Sequence, residues 1–194
     1  MGIALLSPLE EMAHALASAH MVQHLLLILL AGPLLARAIR FTLPQWFSPT
    51  LAWLLHTATI WFWHAAGPYN AAVVNPLVHG LEHLSFLGTA VVFWRAVGIG
   101  RRSEGLGVLL VFAMALQSVF LALLLTFADT PWYWVYSATT RAYGLDPLAD
   151  QQLAGVIMWV PAGVVYTGIG LKLLLAWMRE HDAMPELAGS RSAT

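Results

Sequence analysis

Apolar residues run in long stretches along this chain, and the polar residues gather near the ends of those stretches. A helix needs about 20 mainly apolar residues to cross a bilayer. The first stretch that approaches this length is expected over His20 to Ile39, closed by Arg37 and Arg40. A proline-bearing connector from Leu43 to Pro49 leads to a second, Leu51 to Ala66, which Gly67-Pro68 is expected to break. The third opens near Pro76, a residue suited to a first helical turn, and ends at Trp94-Arg95. The fourth covers Leu106 to Ala128 and carries no charge. A loop rich in Trp, Tyr and Pro follows, Asp129 to Asp150. The fifth, Leu153 to Trp177-Met178, is expected to be interrupted at Pro161 and kinked by its glycines. The pattern predicts an all-α, polytopic transmembrane bundle of about five spans, with residues 1–180 as one domain and 181–194 as a short polar tail.

Two of these stretches begin alike. His20 and His24 open the first, and His79 and His83 the third, each pair spaced i, i+4. That spacing places both rings on one helix face, one turn apart. Imidazole is the commonest side-chain metal ligand and is costly to bury in lipid without a partner. Two such pairs point to a metal or haem site inside the bundle.

Composition narrows the class. The chain is 59% hydrophobic and 10% charged, against about 25% charged in soluble domains. With 194 residues, no length remains for a soluble catalytic domain beside the spans. A net charge of −1 without a basic run argues against nucleic acid. Cysteine is absent, which excludes disulfides, thiolate copper sites, iron–sulfur clusters and covalent c-type haem. The opening MGIALLSPLEEM has no basic leading region and is not read as a cleaved signal peptide.

Charge also orients the chain. Of the 9 basic residues, Arg37, Arg40, Arg95, Arg101, Arg102, Lys172, Arg179 and Arg191 fall on one side of a five-span bundle, and only Arg141 on the other. The positive-inside rule then puts the N-terminus outside and the C-terminus in the cytoplasm. In that arrangement both His pairs lie near the outer surface, and His64, at the end of the outward-running second span, reaches the same level. Asp150, Gln151 and Gln152 stand at the mouth of the fifth span. His14 lies in the outer N-terminal segment, and His181 is cytoplasmic. His56, eight residues before His64, lies about 12 Å deeper at 1.5 Å per residue.

Each candidate has a plainer reading. His56 is read as a packing residue bonded to a neighbouring helix, and His64 equally as packing residue or ligand. Glu82 stands beside His83, off its exact face, either as the partner that fixes a ring tautomer or as a protonated or snorkelling carboxyl. Asp150 is a ligand or the N-cap of the fifth span. Met21, Met114 and Met158 are soft donors suited to copper(I), but methionine in lipid is ordinary packing. Trp132, Tyr133, Trp134 and Tyr136 are expected to sit at the membrane interface and roof the histidine layer. No G-x-S-x-G, HExxH, P-loop or dinucleotide pattern is present.

Four blocks carry a resemblance: HMVQHLLLILLAGPLL (20–35), WFWHAAGPYNAA (61–72), HGLEHLSFLGTAVVFW (79–94) and DPLADQQLAGVIMWVP (146–161). Together they resemble the multi-span membrane CtaG family of cytochrome c oxidase assembly factors. The likeness runs from Ser7-Pro8-Leu9 over nearly the whole chain, with the blocks in family order. Members usually carry more apolar sequence ahead of the SPL element than this chain does. The family's polar signature matches His20, His24, His64, His79, His83 and Asp150-Gln151-Gln152, and Leu124 to Phe127 with Pro131 fit its fourth span and outer loop. The resemblance implies a bacterial inner-membrane, multi-pass protein that aids copper-centre formation, with oxidase subunits and a periplasmic copper carrier as partners. The expected metal ligands are His20, His24, His64, His79, His83 and Asp150, the expected cofactor copper, with zinc or haem b as alternatives, and no catalytic role is expected. The main rival is a b-type haem redox protein with bis-His ligation; a metal-dependent hydrolase ranks below it, lacking a clear general base beyond Glu82 or Asp150.

Overall fold

In the computed structural model, residues 8–39, 41–98 and 105–191 are described, with side chains from Leu9 to Arg179 in those ranges. Arg40, Arg101 and Arg102, which contribute to the basic asymmetry, lie outside the described residues, as do the side chains of His181 and Arg191. All regular structure among the described residues is helical: α1 (Pro8–Ala13), α2 (Ala17–Leu25), a π-helical turn (Leu26–Ala31), α3 (Gly32–Ala38), α4 (Pro49–His64), α5 (Ala66–Val74), α6 (Pro76–Ala96), α7 (Gly105–Thr126) and α8 (Pro147–Arg191). Short 3-10 turns at Trp134–Tyr136 and Thr140–Tyr143 lie between α7 and α8.

Four helical stretches are long and apolar enough to cross a membrane: Ala17–Ala38, Pro76–Ala96, Gly105–Thr126 and Pro147–Arg179. The remaining expected span, the second, is α4, which has 16 residues and so reaches only about 24 Å at the standard helical rise. The reason it stops is local. A proline ring clashes with the carbonyl four residues earlier, and Pro68 stands four residues after His64. The helix therefore breaks at Ala65 (φ −66, ψ 139), two residues before the expected Gly67-Pro68 break, and both of those residues sit in the first turn of α5. Pro161 behaves differently from expectation. The helix continues through it from Pro147 to Arg191, because one lost hydrogen bond costs less in an apolar setting than a break that strands several. Residues 181–191 extend the same helix beyond the expected end of the domain.

The burial pattern is that of a membrane protein, with polar groups inside and leucines outside. His20, Gln23, His24, His56, His64, Glu82, Asp150 and Gln151 are buried, whereas Leu77, Leu84, Leu109, Leu116 and Val164 are among the exposed apolar side chains. Small residues allow the helices to approach. A Cβ on Gly32 would meet Ala90 Cβ at 2.9 Å, and one on Gly155 would meet the Ala122 carbonyl and Thr126. Close contact of α3 with α6, and of α7 with α8, depends on these glycines. Beside Gly32, the Trp94 indole donates to the Ile28 carbonyl in the π turn at 2.9 Å. That bond pins α2 and α6 in register, with both His pairs at the same end.

Candidate metal centre

His79, Glu82 and His83 stand at i, i+3 and i+4 on α6, so all three share one face. That face looks at His20 and His24 of α2. The ligand atoms of His20, His79, Glu82 and His83 lie within 4.8 Å of one another, and all four residues are buried. Glu82 is fully buried and central. Its Oε2 lies 3.1 Å from His20 Nε2, and its Oε1 lies 3.5 Å from His24 Nε2. His79 Nε2 and His83 Nε2 are 3.1 Å apart. The reading that put Glu82 off the face of His83 is thus corrected: its spacing from His79 keeps it on the His face, and that spacing was the signal to use.

His24 and His64 extend the cluster toward the bundle interior. Their ring centroids are 5.5 Å apart, and both are 1% exposed. The His64 Nδ1–H donates to the Ile60 carbonyl at 2.7 Å. This fixes the tautomer and leaves Nε2 as the lone-pair nitrogen, the orientation that metal-bound histidines need. His64 Nε2 and His24 Nδ1 are buried without a hydrogen-bond partner. Met21, Met158 and Tyr166 join His24 and His64 around a cavity of about 20 Å³. Met114 is elsewhere, its sulfur taken by the Gln117 amide at 2.9 Å. His56 also stands apart. Its Nδ1 pairs with Thr89 Oγ1 at 2.9 Å and its ring stacks on Phe93, a packing role.

Asp150 is not brought to the imidazoles. It is neither a member of the ligand cluster nor the cap of its own helix. Its Oδ2 accepts from the Ala17 amide at 2.6 Å, and its Oδ1 from the Ser18 amide and hydroxyl at 3.2 Å and 2.5 Å. It therefore caps α2 from across the bundle, supplying the side-chain acceptor that the local N-cap, Leu16, lacks. The cap of α8 comes from Asp146, whose Oδ1 accepts from the Leu148 amide. Gln151 and Gln152 anchor the connecting loop instead of lining the site, through the Trp132 amide and the Ala128 carbonyl.

A roof of tyrosines covers the cluster. Tyr133 and Tyr136 of the loop are buried as expected, but Trp134 is 65% exposed and turns away. The third member, Tyr69 of α5, was not foreseen. It stacks on Tyr133 at 3.7 Å and sits 5.1 Å from the His20 ring. The Tyr133 hydroxyl donates to the His64 carbonyl at 3.0 Å, the group that Pro68 strips from the helix ladder. Tyr136 donates to the Ala13 carbonyl at 2.9 Å. Burial pushes both loop phenols well above the ordinary tyrosine range, so they stay neutral donors. Asn70 ties down the loop backbone through Trp132 and Val135.

The arrangement can hold a divalent ion: nitrogen and carboxylate donors, orphaned lone pairs, and carbonyl bonds that orient the rings. A family model, cytochrome c oxidase caa3 assembly factor (Caa3_CtaG), matches residues 1–180. The chain belongs to that family. No curated protein and no solved structure matches this chain. As a Caa3_CtaG member it is a membrane protein of cytochrome c oxidase assembly, with a buried His/Glu cluster able to hold a metal ion.

Proposed function

We propose that this Caa3_CtaG protein binds copper as cargo and presents it for copper-centre formation in the oxidase, without a catalytic step of its own. The observation that carries the reading is the buried set His20, His79, Glu82 and His83, with ligand atoms within 4.8 Å of one another. Imidazole and carboxylate suit copper(II) or zinc, while Met21 and Met158 beside His24 and His64 add softer donors for copper(I). The absence of Cys keeps affinity below that of a thiolate trap, which favours release to the oxidase or a soluble carrier. A haem ion bound by one His from each of two helices fits less well. The rings of His20, His24, His79 and His83 pack with centroids 4.1–5.9 Å apart, leaving no slot for a porphyrin.

The test is metal analysis with an absorption spectrum on protein purified without added metal. Copper without a Soret band supports the reading; a Soret band, or no metal after copper loading, overturns it. The ligands must be deprotonated imidazoles, so protons compete with the ion. Binding should be full near neutral pH and weaken in acid, as protons take the imidazole lone pairs. Copper affinity unchanged on acidification until the protein unfolds would speak against histidine ligands.

In the cell we place the protein in the bacterial inner membrane, with five spans including α4, the N-terminus and the loop 129–150 outside and the C-terminus inside. The His cluster then faces a periplasmic copper source. Reporter fusions at Ser190 should be active only as cytoplasmic reporters. Labelling of position 103 from outside would contradict this orientation.

A further inference from the structure

A second cluster leans against the first. The ligand atoms of Glu10, His14 and His79 also lie within 4.8 Å of one another. Glu10 Oε1 is 3.6 Å from His14 Nε2 and 3.7 Å from His79 Nδ1. The other oxygen, Oε2, accepts from the Gln23 amide at 2.5 Å, and Gln23 is fully buried. A buried amide thus aims one oxygen of a partly exposed carboxylate at two imidazoles.

His79 belongs to both clusters, and its two nitrogens divide between them. Nδ1 faces Glu10, and Nε2 faces His83. Exposure falls along the same line: the His14 side chain is 46% exposed, Glu10 28%, His79 8% and Glu82 0%. An open cavity of about 410 Å³ is lined by Glu10, His14, His79 and His83 together with Leu27 and Leu84. A surface ion pair would explain Glu10 and His14 alone. It does not explain why the carboxylate is held by a buried amide beside a cavity whose lining includes two ligands of the inner set.

We propose that Glu10, His14 and His79 form an outer metal site that captures the ion from solvent and passes it, through the two faces of His79, to the inner set. This rests on the inner set being a metal site. The step is ligand exchange: the ion keeps its charge, its bonds to the Glu10 carboxylate, His14 and His79 Nδ1 break, and bonds to His79 Nε2, His83, His20 and Glu82 form. No electron moves; the proton displaced from His79 Nε2 is replaced by one taken up at Nδ1, and protons displaced from the other incoming imidazoles go to water.

The test uses the full chain in lipid nanodiscs and copper(II) ions alone, with loading followed by stopped-flow quenching of tryptophan fluorescence. Glu10→Gln and His14→Ala should each load about tenfold slower, the low end of the effect of removing groups that support a metal site. Glu11→Gln removes the same charge from an exposed neighbour on α1 and should load at the unsubstituted rate. His14→Ala leaves the Glu10–Gln23 bond in place, so it separates loss of a ligand from loss of folding. Unchanged loading in both Glu10→Gln and His14→Ala overturns the outer site and leaves the inner one standing. Equal slowing by Glu11→Gln reduces the effect to charge attraction and also overturns it. If the unsubstituted protein takes up no copper(II), the inner site and the outer site fall together.

Discussion

Replacing His83 by Ala is expected to remove most of the bound metal while the bundle still inserts and folds. His83 is one of three imidazoles in the inner set, and its Nε2 lies 3.1 Å from that of His79. Removing a group that only supports a metal costs about 10–100-fold in affinity, so loss of a direct ligand should reach at least the top of that range. Insertion should survive, because apolar length drives it and alanine is the best helix former. His24→Ala should lower affinity less, since His24 stands outside the set of ligand atoms within 4.8 Å of one another and meets Glu82 Oε1 at 3.5 Å. His56→Ala should leave metal content unchanged, its ring being paired with Thr89. In cells, His83→Ala should lower oxidase activity, with partial rescue by added copper. Full metal content and full oxidase activity in both the His83 and His24 variants would mean that the two pairs are packing residues.

Asp150→Ala is expected to act on stability, not on metal chemistry. The carboxylate satisfies two backbone amides and one hydroxyl at the start of α2, all buried and all across the bundle. Hydrogen bonds to a charged group contribute about 1.5–3 kcal/mol each, and they are not additive. A loss of about 2–4 kcal/mol is therefore expected once relaxation and water access are allowed for. Asp150→Asn should recover part of it by keeping one good acceptor. Thermal unfolding in detergent, followed on metal-free protein, reads this directly. Unchanged thermal stability together with lost metal would return Asp150 to the ligand set.

The destabilisation should also reach the site. Asp150 holds the first turn of α2, and His20 stands three residues beyond Ala17. Fraying of that turn would misplace His20 relative to Glu82, so a modest fall in metal affinity should accompany the loss of stability. The two effects separate by temperature: well below the unfolding midpoint, Asp150→Ala should retain more metal than His83→Ala.

Much of the site could be read from spacing. The i, i+4 pairs His20/His24 and His79/His83 had to share faces on whichever helices carried them, because helical periodicity is a local property. Apolar run lengths predicted five spans, of which four are helices long and apolar enough to cross a membrane, and the expected loop end at Asp150 falls inside α8, which starts at Pro147. Composition excluded thiolate chemistry outright.

What local rules leave open is how each helix is rotated and what faces it. Glu82 has the right spacing to join His79, yet only the packing of α6 against α2 makes it the centre of the cluster. By sequence alone Asp150 is a metal ligand or the cap of its own helix; an unmet first turn on α2, 133 residues away in sequence, claims it instead. Tyr69 joined the roof because Pro68 ended α4 at His64, turned the chain into α5 and freed a carbonyl for Tyr133. The sharing of His79 between Glu10 and His83 follows from α1 folding back over the cluster. Periodicity determines which residues of one helix travel together, because it depends on backbone geometry alone. Which helix they meet depends on close packing between elements far apart in the chain, and that was decided only in the tertiary structure.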